Sequence, residues 1–373
     1  MKLAFLFQWY MHMSRPHHWV IESIKNGHQA DVYTPSTFPW KRPWVPRQYA
    51  SSIFDIKSNI IEDSLVFLWD LMGCTDSLWR RRRIERRCRF WESLWNGEIG
   101  NSYDAIVFCG LVPRIVERTS NKIPLVYDCM DQWDGFSGIS PKVIEYEKSI
   151  IKASDIVWTV TPNMAERISK EHENRICHII PNGCDYNHFT TAKGKKLPPN
   201  WKSGTPIIGY AGVINTWFNW DAVFAIAQNL PNSIVWIIGP LQTDVPKNLP
   251  SNVLLQGYVP YEHLPEYYAG FDVAIIPFKG ERLAQGISPL KLYEYLASGK
   301  PVVSSKMPDT IQLSNPGVVE VADSPKEFAR ICSYMIDKTN NVTLIEKRQN
   351  IAQMHSWKSR WEMCEKTINE MRK

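Results

Sequence analysis

Ser288-Pro289-Leu290-Lys291-Leu292-Tyr293-Glu294-Tyr295-Leu296-Ala297-Ser298-Gly299-Lys300-Pro301-Val302-Val303 reads as a helix start, a short helix, a glycine stop and a buried strand. Serine is a favoured N-cap, and proline is at home at the first helical position, where its missing N–H costs nothing. Ser288 and Pro289 therefore predict the start. Gly299 suits the left-handed residue that ends a helix, and Val302-Val303 opens a strand. The start is the chemically interesting end. Free N–H groups and the positive end of the helix dipole favour an anion there, and Lys291 on the first turn adds a full charge. Glu294 offers a carboxylate that accepts hydrogen bonds from two adjacent hydroxyls. A diphosphate at the tip and a ribose at Glu294 would together hold a nucleoside diphosphate. The competing reading is an ordinary surface helix of an α/β protein.

The residues just upstream bear on that choice. Asp272-Val273-Ala274-Ile275-Ile276-Pro277-Phe278 is a buried strand ending in proline. Strand, loop, helix tip and strand in that order put the tip at the carboxyl edge of a parallel sheet, where open α/β sheets bind ligands. The two runs, D-V-A-I-I-P-F and S-P-L-K-L-Y-E-Y-L-A-S-G-K-P-V-V, resemble the donor-site signature of the GT-B glycosyltransferases. The resemblance implies an α/β fold of two facing Rossmann-like domains with a cleft between them. It implies a sugar nucleotide as donor, with UDP the family's commonest nucleotide.

The totals agree with a chain of this kind. The 373 residues suffice for two domains, and 44% hydrophobic with 22% charged residues is ordinary for a soluble globular protein. Sixteen Trp is unusually many, while a net charge of +5 is too mild to imply nucleic acid. The eight Cys are scattered and form no C-x-x-C pair, which disfavours zinc or a redox pair and is most simply read as reduced cytosolic thiols. The chain enters directly as a strand, Lys2-Leu3-Ala4-Phe5-Leu6-Phe7, without the features of a signal peptide. No apolar run reaches membrane-spanning length.

In the first half, a β-α-β opening lacks G-x-G-x-x-G, which disfavours a dinucleotide-dependent dehydrogenase. Arg15, His17 and His18 follow the first strand and are candidates for a cleft that receives the acceptor; a polar helix start on a solvated surface is the alternative. Ser77 to Trp95 places Ile84, Cys88, Trp91 and Trp95 on one helix face, with arginines over much of the rest. Trp79, Arg80, Arg83, Arg87, Trp91 and Trp95 are expected to meet an anionic membrane surface, tryptophans at the interface and arginines on headgroups. A solvated helix packed by its Trp face is the close alternative, and nucleic-acid binding through the arginines lies well behind.

Two further stretches fit the same family. Tyr127-Asp128-Cys129-Met130-Asp131-Gln132-Trp133-Asp134 follows a strand and is similar to the Y-x-x-x-D pattern of bacterial transferases that decorate lipid-linked saccharides, including glucuronosyltransferases of exopolysaccharide assembly. By that resemblance Asp131 is the candidate base that would deprotonate an acceptor hydroxyl; a helix-cap or turn carboxylate is the alternative. P-N-G-x-D-x-x-x-F at Pro181 to Phe189 resembles the close of the family's N-terminal domain. The resemblance implies an acceptor-binding domain over 1–190, a linker at 191–204, a donor-binding domain over 205–354, and a final helix, 355–373, that returns to the first domain. The expected donor contacts are Gly212, Asn215, Trp217, Ser288, Leu290, Lys291 and Glu294, with Arg282 as a second phosphate candidate; by the resemblance, the turn at Tyr258 and Val259 supplies backbone contacts to the base. The resemblance is strongest over 206–305 and weakest over 35–100.

One departure from the family is informative. Many retaining GT-B enzymes carry a second glutamate upstream of the one at 294, at the position held here by Gly286; its absence leans toward an inverting enzyme. No cofactor and no metal are expected, since Lys291 and the helix tip supply the positive charge and no D-x-D motif is evident. The expected partners are a nucleotide-sugar donor, a lipid-linked saccharide acceptor and an anionic membrane surface, and not nucleic acid. The implied role is in bacterial surface polysaccharide synthesis, in the cytoplasm at the membrane face. A non-catalytic sugar- or nucleotide-binding protein of the same fold is the alternative from another class.

Overall fold

A computed structural model describes residues 1–7, 14–33, 53–54, 103–111, 123–135, 139–279 and 284–372. The chain divides into two compact units, Met1–Ile180 with Arg360–Lys373, and Pro181–Ser359. The first is built on β1 (Lys2–Phe7), α1 (Arg15–Lys25), β2 (Gln29–Tyr33), β3 (Ile53–Phe54), β4 (Ala105–Cys109), β5 (Leu125–Cys129), α2 (Pro141–Ala153), β6 (Ile156–Thr159), α3 (Pro162–Glu171) and β7 (Cys177–Ile179). Its strands form one parallel sheet in the order β3-β2-β1-β4-β5-β6-β7. A parallel sheet is covered on both faces, so its strands read as unbroken apolar runs; every residue of β4 and β5 is buried.

The last helix, α11 (Trp357–Met371), supplies part of this core. Trp361 is fully buried, with its ring 6.1 Å from Phe5 and 6.2 Å from Trp19. The Trp158 indole N–H donates to the Thr367 hydroxyl at 2.9 Å. From Arg360 onward this helix is grouped with the first unit.

The second unit repeats the plan. It contains α4 (Tyr186–Thr190), β8 (Ile207–Ala211), α5 (Trp220–Asn229), β9 (Ile234–Ile238), β10 (Val253–Gly257), α6 (Leu264–Gly270), β11 (Val273–Ile276), α7 (Leu290–Ala297), β12 (Val302–Ser304), α8 (Pro308–Gln312), β13 (Val319–Val321), α9 (Pro325–Ile336) and α10 (Val342–Met354). Its parallel sheet runs β10-β9-β8-β11-β12-β13, the doubly wound order in which the chain reverses direction between β8 and β11. The sequence-based boundary at 190 moves back to 180. The P-N-G loop belongs to the second unit because Asn182 bonds to Ser288 and Cys184 pairs with Ser356. Residues 191–204 also lie within that unit, where the Lys196 N–H donates to the Glu266 carbonyl.

Arg348, fully buried on α10, ties this unit together without an acidic partner among the described residues. Its guanidinium donates to the carbonyls of Gly317, Gly299, Thr339 and Lys338, at distances from 2.5 to 3.3 Å. Two of these, Thr339 and Lys338, follow the end of α9, and Gly299 is the left-handed stop of α7, with φ of 73°. Burial lowers the arginine to about 10, so it stays charged at neutral pH. Arg348→Met should strand several buried carbonyls and cost about 3 kcal/mol or more. Arg348→Lys should recover only part of that, since an ammonium lacks the planar fork; chemical denaturation of both variants measures the loss.

Candidate functional site

The carboxyl ends of β8, β9 and β11 crowd together in the second unit. Gly212 follows β8 with φ of 148° and Gly239 follows β9 with φ of 135°, conformations that side chains disfavour. The Gly212 N–H donates to the Ile238 carbonyl at 2.9 Å. A Cβ on Gly239 would lie 2.0 Å from the Gly212 carbonyl oxygen, and one on Gly212 would lie 2.6 Å from Lys291 Nζ. Gly212 was legible as a glycine turn after a strand. Gly239 was not singled out, although I-I-G-P after β9 carries the same signal as Y-A-G after β8.

Lys291 lies on the first turn of α7, and its ammonium is boxed by aromatic groups. Nζ donates to the Tyr210 hydroxyl at 3.2 Å and lies 4.6 Å from the Tyr210 ring centroid and 4.8 Å from that of Phe278. Among the described residues it forms no ion pair. Desolvation pulls it down to about 8, against the opposing charge of Glu294. Glu294, one turn on, accepts from the Tyr268 hydroxyl at 3.0 Å. Desolvation pushes it up to about 7, with the Tyr268 bond and Lys291 pulling the other way. Tyr268 is held by a stacked Phe189, centroids 5.3 Å apart. Tyr210, Tyr268 and Phe278 were not singled out as site residues, because nothing in their local pattern separates them from core aromatics.

The start of α7 departs from expectation. Its cap is Pro289 rather than Ser288, Leu290 is the first helical residue, and the cap residue makes no side-chain bond to the helix. Ser288 is buried and turned elsewhere: its hydroxyl donates to Asp309 and accepts from the Asn182 backbone N–H at 2.9 Å. The Asn182 side-chain amide donates to the Ser288 carbonyl at 2.6 Å. Ser288 is therefore corrected from cap to internal anchor, because its bonds to Asp309 and to the Asn182 N–H hold the hydroxyl away from the helix amides. Among the described residues no side chain caps the Leu290 and Lys291 amides.

The remaining donor candidates share this edge but are less tightly assembled. Asn215 is half-buried and its amide donates to the Gln242 side chain at 3.0 Å. The Trp217 carbonyl accepts from the Lys279 N–H at 2.6 Å. Beyond β10, Tyr258 is 72% exposed, a free aromatic face, whereas Val259 is buried. A pocket of about 460 Å3 lies at the ends of β11 and β12, lined by Asn219, Phe278, Lys279, Ser305, Lys306 and Ser324 among others. Phe278 is common to it and to the lysine box. Arg282 lies outside the described residues, as do Trp79, Arg80, Arg83, Arg87, Trp91 and Trp95.

In the first unit, Arg15 is corrected from an acceptor-cleft residue to a structural one. It is 3% exposed, and its guanidinium grips the fully buried Asp128 through Nε at 3.1 and 3.0 Å and Nη2 at 2.8 Å. Nη1 donates to the Ile180 carbonyl at 2.8 Å, and the Trp19 indole N–H donates to Asp128 at 2.7 Å. His17 and His18 are likewise buried, edge to face at 5.9 Å, so neither presents an open wall. Asp131, in contrast, is exposed just beyond β5. Desolvation by the surrounding protein and the nearby Asp128 carboxylate raise its pKa, opposed by Arg15.

Residues 205–338 match the family described as glycosyl transferases group 1. That stretch lies within the second unit. Among known proteins, the chain is 27% identical over 256 residues to a putative teichuronic acid biosynthesis glycosyltransferase, TuaH, of Bacillus subtilis. That match covers 62% of this chain and 64% of the relative, so the chain spans somewhat under two thirds of that protein's length. Sucrose-phosphate synthase of Thermosynechococcus elongatus superposes with a TM-score of 0.73 at 13% identity, covering 100% of this chain and 99% of that one. Anabaena Alr3699/HepE, solved in complex with UDP-glucose, gives 0.65 at 16% identity, covering 99% and 100%. No helix among the described residues is long and apolar enough to cross a membrane.

The Arg15 correction is testable. Arg15→Ala should strand the Asp128 carboxylate in the first unit's core and cost about 3–5 kcal/mol. A lowered melting temperature checks it; normal stability with a raised acceptor KM would restore the acceptor role.

Proposed function

We propose that this chain is a glycosyltransferase that moves a sugar from a UDP-linked donor to a lipid-linked or polysaccharide-precursor acceptor of a bacterial surface polysaccharide. The observation that carries the reading is Lys291: a desolvated ammonium that, among the described residues, has no ion-pair partner and stands beside helix amides without a side-chain cap. Both features call for the same ligand, a diphosphate. Its negative charge grows as the glycosyl bond breaks, and donors fixed in advance stabilise that growth more than they stabilise the ground state. The carboxylate of Glu294 suits two neighbouring ribose hydroxyls, and the exposed Tyr258 ring and the adjoining backbone suit the base. The UDP-glucose bound to HepE supports the nucleotide, and the role of the teichuronic acid relative supports the polysaccharide.

Asp131 is the proposed base. It is accessible and stands just beyond the carboxyl end of β5, where a base can meet an acceptor hydroxyl. With Gly286 where retaining relatives carry a glutamate, the reading is an inverting transfer, with Lys291 and the helix tip serving in place of a metal ion. The arginine- and tryptophan-rich segment at 79–95 would bring the chain to an anionic membrane, where a lipid-linked acceptor resides.

Thermal shift against UDP, GDP, dTDP and their sugars tests the donor site: UDP compounds should stabilise the wild type, and Lys291→Ala should abolish the shift. The two perturbed groups also fix a pH profile. Binding needs Lys291 protonated and Glu294 ionised. Affinity should therefore peak between about pH 7 and 8, falling below as Glu294 takes up a proton and above as Lys291 loses one. Glu294→Gln should remove the acid limb and keep the alkaline one, as titration calorimetry across pH would show. For the chemical step, Asp131→Asn should retain UDP affinity yet lower kcat by about 100-fold or more; undiminished turnover would place the base elsewhere.

A further inference from the structure

Among the described residues, four Ser-Pro or Thr-Pro pairs stand at a helix start: Ser140-Pro141, Thr161-Pro162, Ser288-Pro289 and Ser324-Pro325. Three behave alike. The hydroxyls of Ser140, Thr161 and Ser324 accept from the N–H groups of Lys142, Met164 and Glu327, each at 3.3 Å, and each proline is in the first turn. Ser288 alone makes no such bond, and its helix begins one residue later than the pattern dictates.

The Ser288 hydroxyl is held on two sides, which fixes where it points. Its proton goes to the Asp309 carboxylate, and one of its lone pairs receives the Asn182 backbone N–H at 2.9 Å. The Asn182 side chain fixes the same residue's carbonyl at 2.6 Å. Asp309 is itself held in place. It is 3% exposed, stands in the first turn of α8, and accepts from the Tyr293 hydroxyl at 2.9 Å. Tyr293 is stacked on His355, with centroids 5.1 Å apart.

The alternative state is close at hand. Pro289 has φ of −78°, which a helix accepts, and only its ψ of 114° is non-helical. Rotation there would add Pro289 to α7 and let the Ser288 hydroxyl cap the Leu290 or Lys291 amide, as in the other three helices. Those are the amides a diphosphate would use. We propose that Asp309, supported by Asn182, is a positioning residue for diphosphate binding: it holds Ser288 through its hydroxyl and so prevents the start of α7 from capping itself. The inference rests on the donor-site reading above and adds the residue that keeps that site open.

Titration calorimetry of the full chain with UDP tests it on wild type, Asp309→Ala, Ser288→Ala and the double variant. Asp309→Ala should weaken UDP binding by about tenfold, the strength of a good serine cap. Adding Ser288→Ala should restore affinity to within about threefold of the Ser288→Ala single variant, because the competing cap is gone. The melting temperature without UDP should stay as low in the double variant as in Asp309→Ala, since the lost packing is not rebuilt. A double variant that binds as weakly as Asp309→Ala, or an Asp309→Ala that binds like wild type, overturns the proposal. Should Asp309→Ala fail to fold, Asp309→Asn with and without Ser288→Ala is judged by the same criterion. Absence of UDP binding by the wild type would instead defeat the donor-site reading itself.

Discussion

An ammonium held against two aromatic rings, without an ion-pair partner among the described residues, is poorly solvated until an anion arrives. Lys291 is in that position, and the rest of the second unit is arranged around it. The glycine turn after β8 brings backbone close to it, and the glycine after β9 lets that turn pack without a side chain between them. Tyr210 and Phe278 limit its solvation. Glu294, one helical turn away, keeps a share of the charge balanced while leaving the ammonium free to meet a ligand.

The helix that carries Lys291 is held at both ends by groups distant in sequence. At its start Asp309 and Asn182 fix Ser288. At its end Arg348 binds the carbonyl of Gly299. An eight-residue helix has little intrinsic stability in water, so its geometry comes from these anchors and from the buried Leu292, Tyr293, Tyr295 and Leu296. Arg348 acts through backbone carbonyls rather than an acid, which suits a place where several chain ends converge and a carboxylate would satisfy only one of them.

The sequence and the structure agree where signals are local. The glycine stop at 299, the apolar strand runs and the doubly wound alternation could all be read directly, because each depends on neighbours within a few residues. The disagreements have non-local causes. Ser288-Pro289 has the local form of a cap, but the residue that claims the hydroxyl lies 21 positions on. Arg15 stands after the first strand as a cleft residue should, yet it is drawn inward by Asp128, 113 positions away. The domain boundary shifted because the P-N-G loop, which looks like the end of one unit, is bonded to Ser288 in the next. Lys291 and Glu294 were legible from the family motif, whereas the aromatic groups that perturb them became visible only once the strands were aligned.

The final helix gives the first unit a core that the N-terminal stretch cannot finish alone. Trp361 packs on Phe5 and Trp19, and Thr367 bonds Trp158. During synthesis, a ribosome that has released the first 180 residues has made a sheet still missing one wall. The second unit, continuous from 181 to 359, has all its parts as soon as it emerges. The nascent chain should therefore settle residues 181–359 first and close the earlier half only after residue 360 has emerged, the reverse of the usual vectorial order.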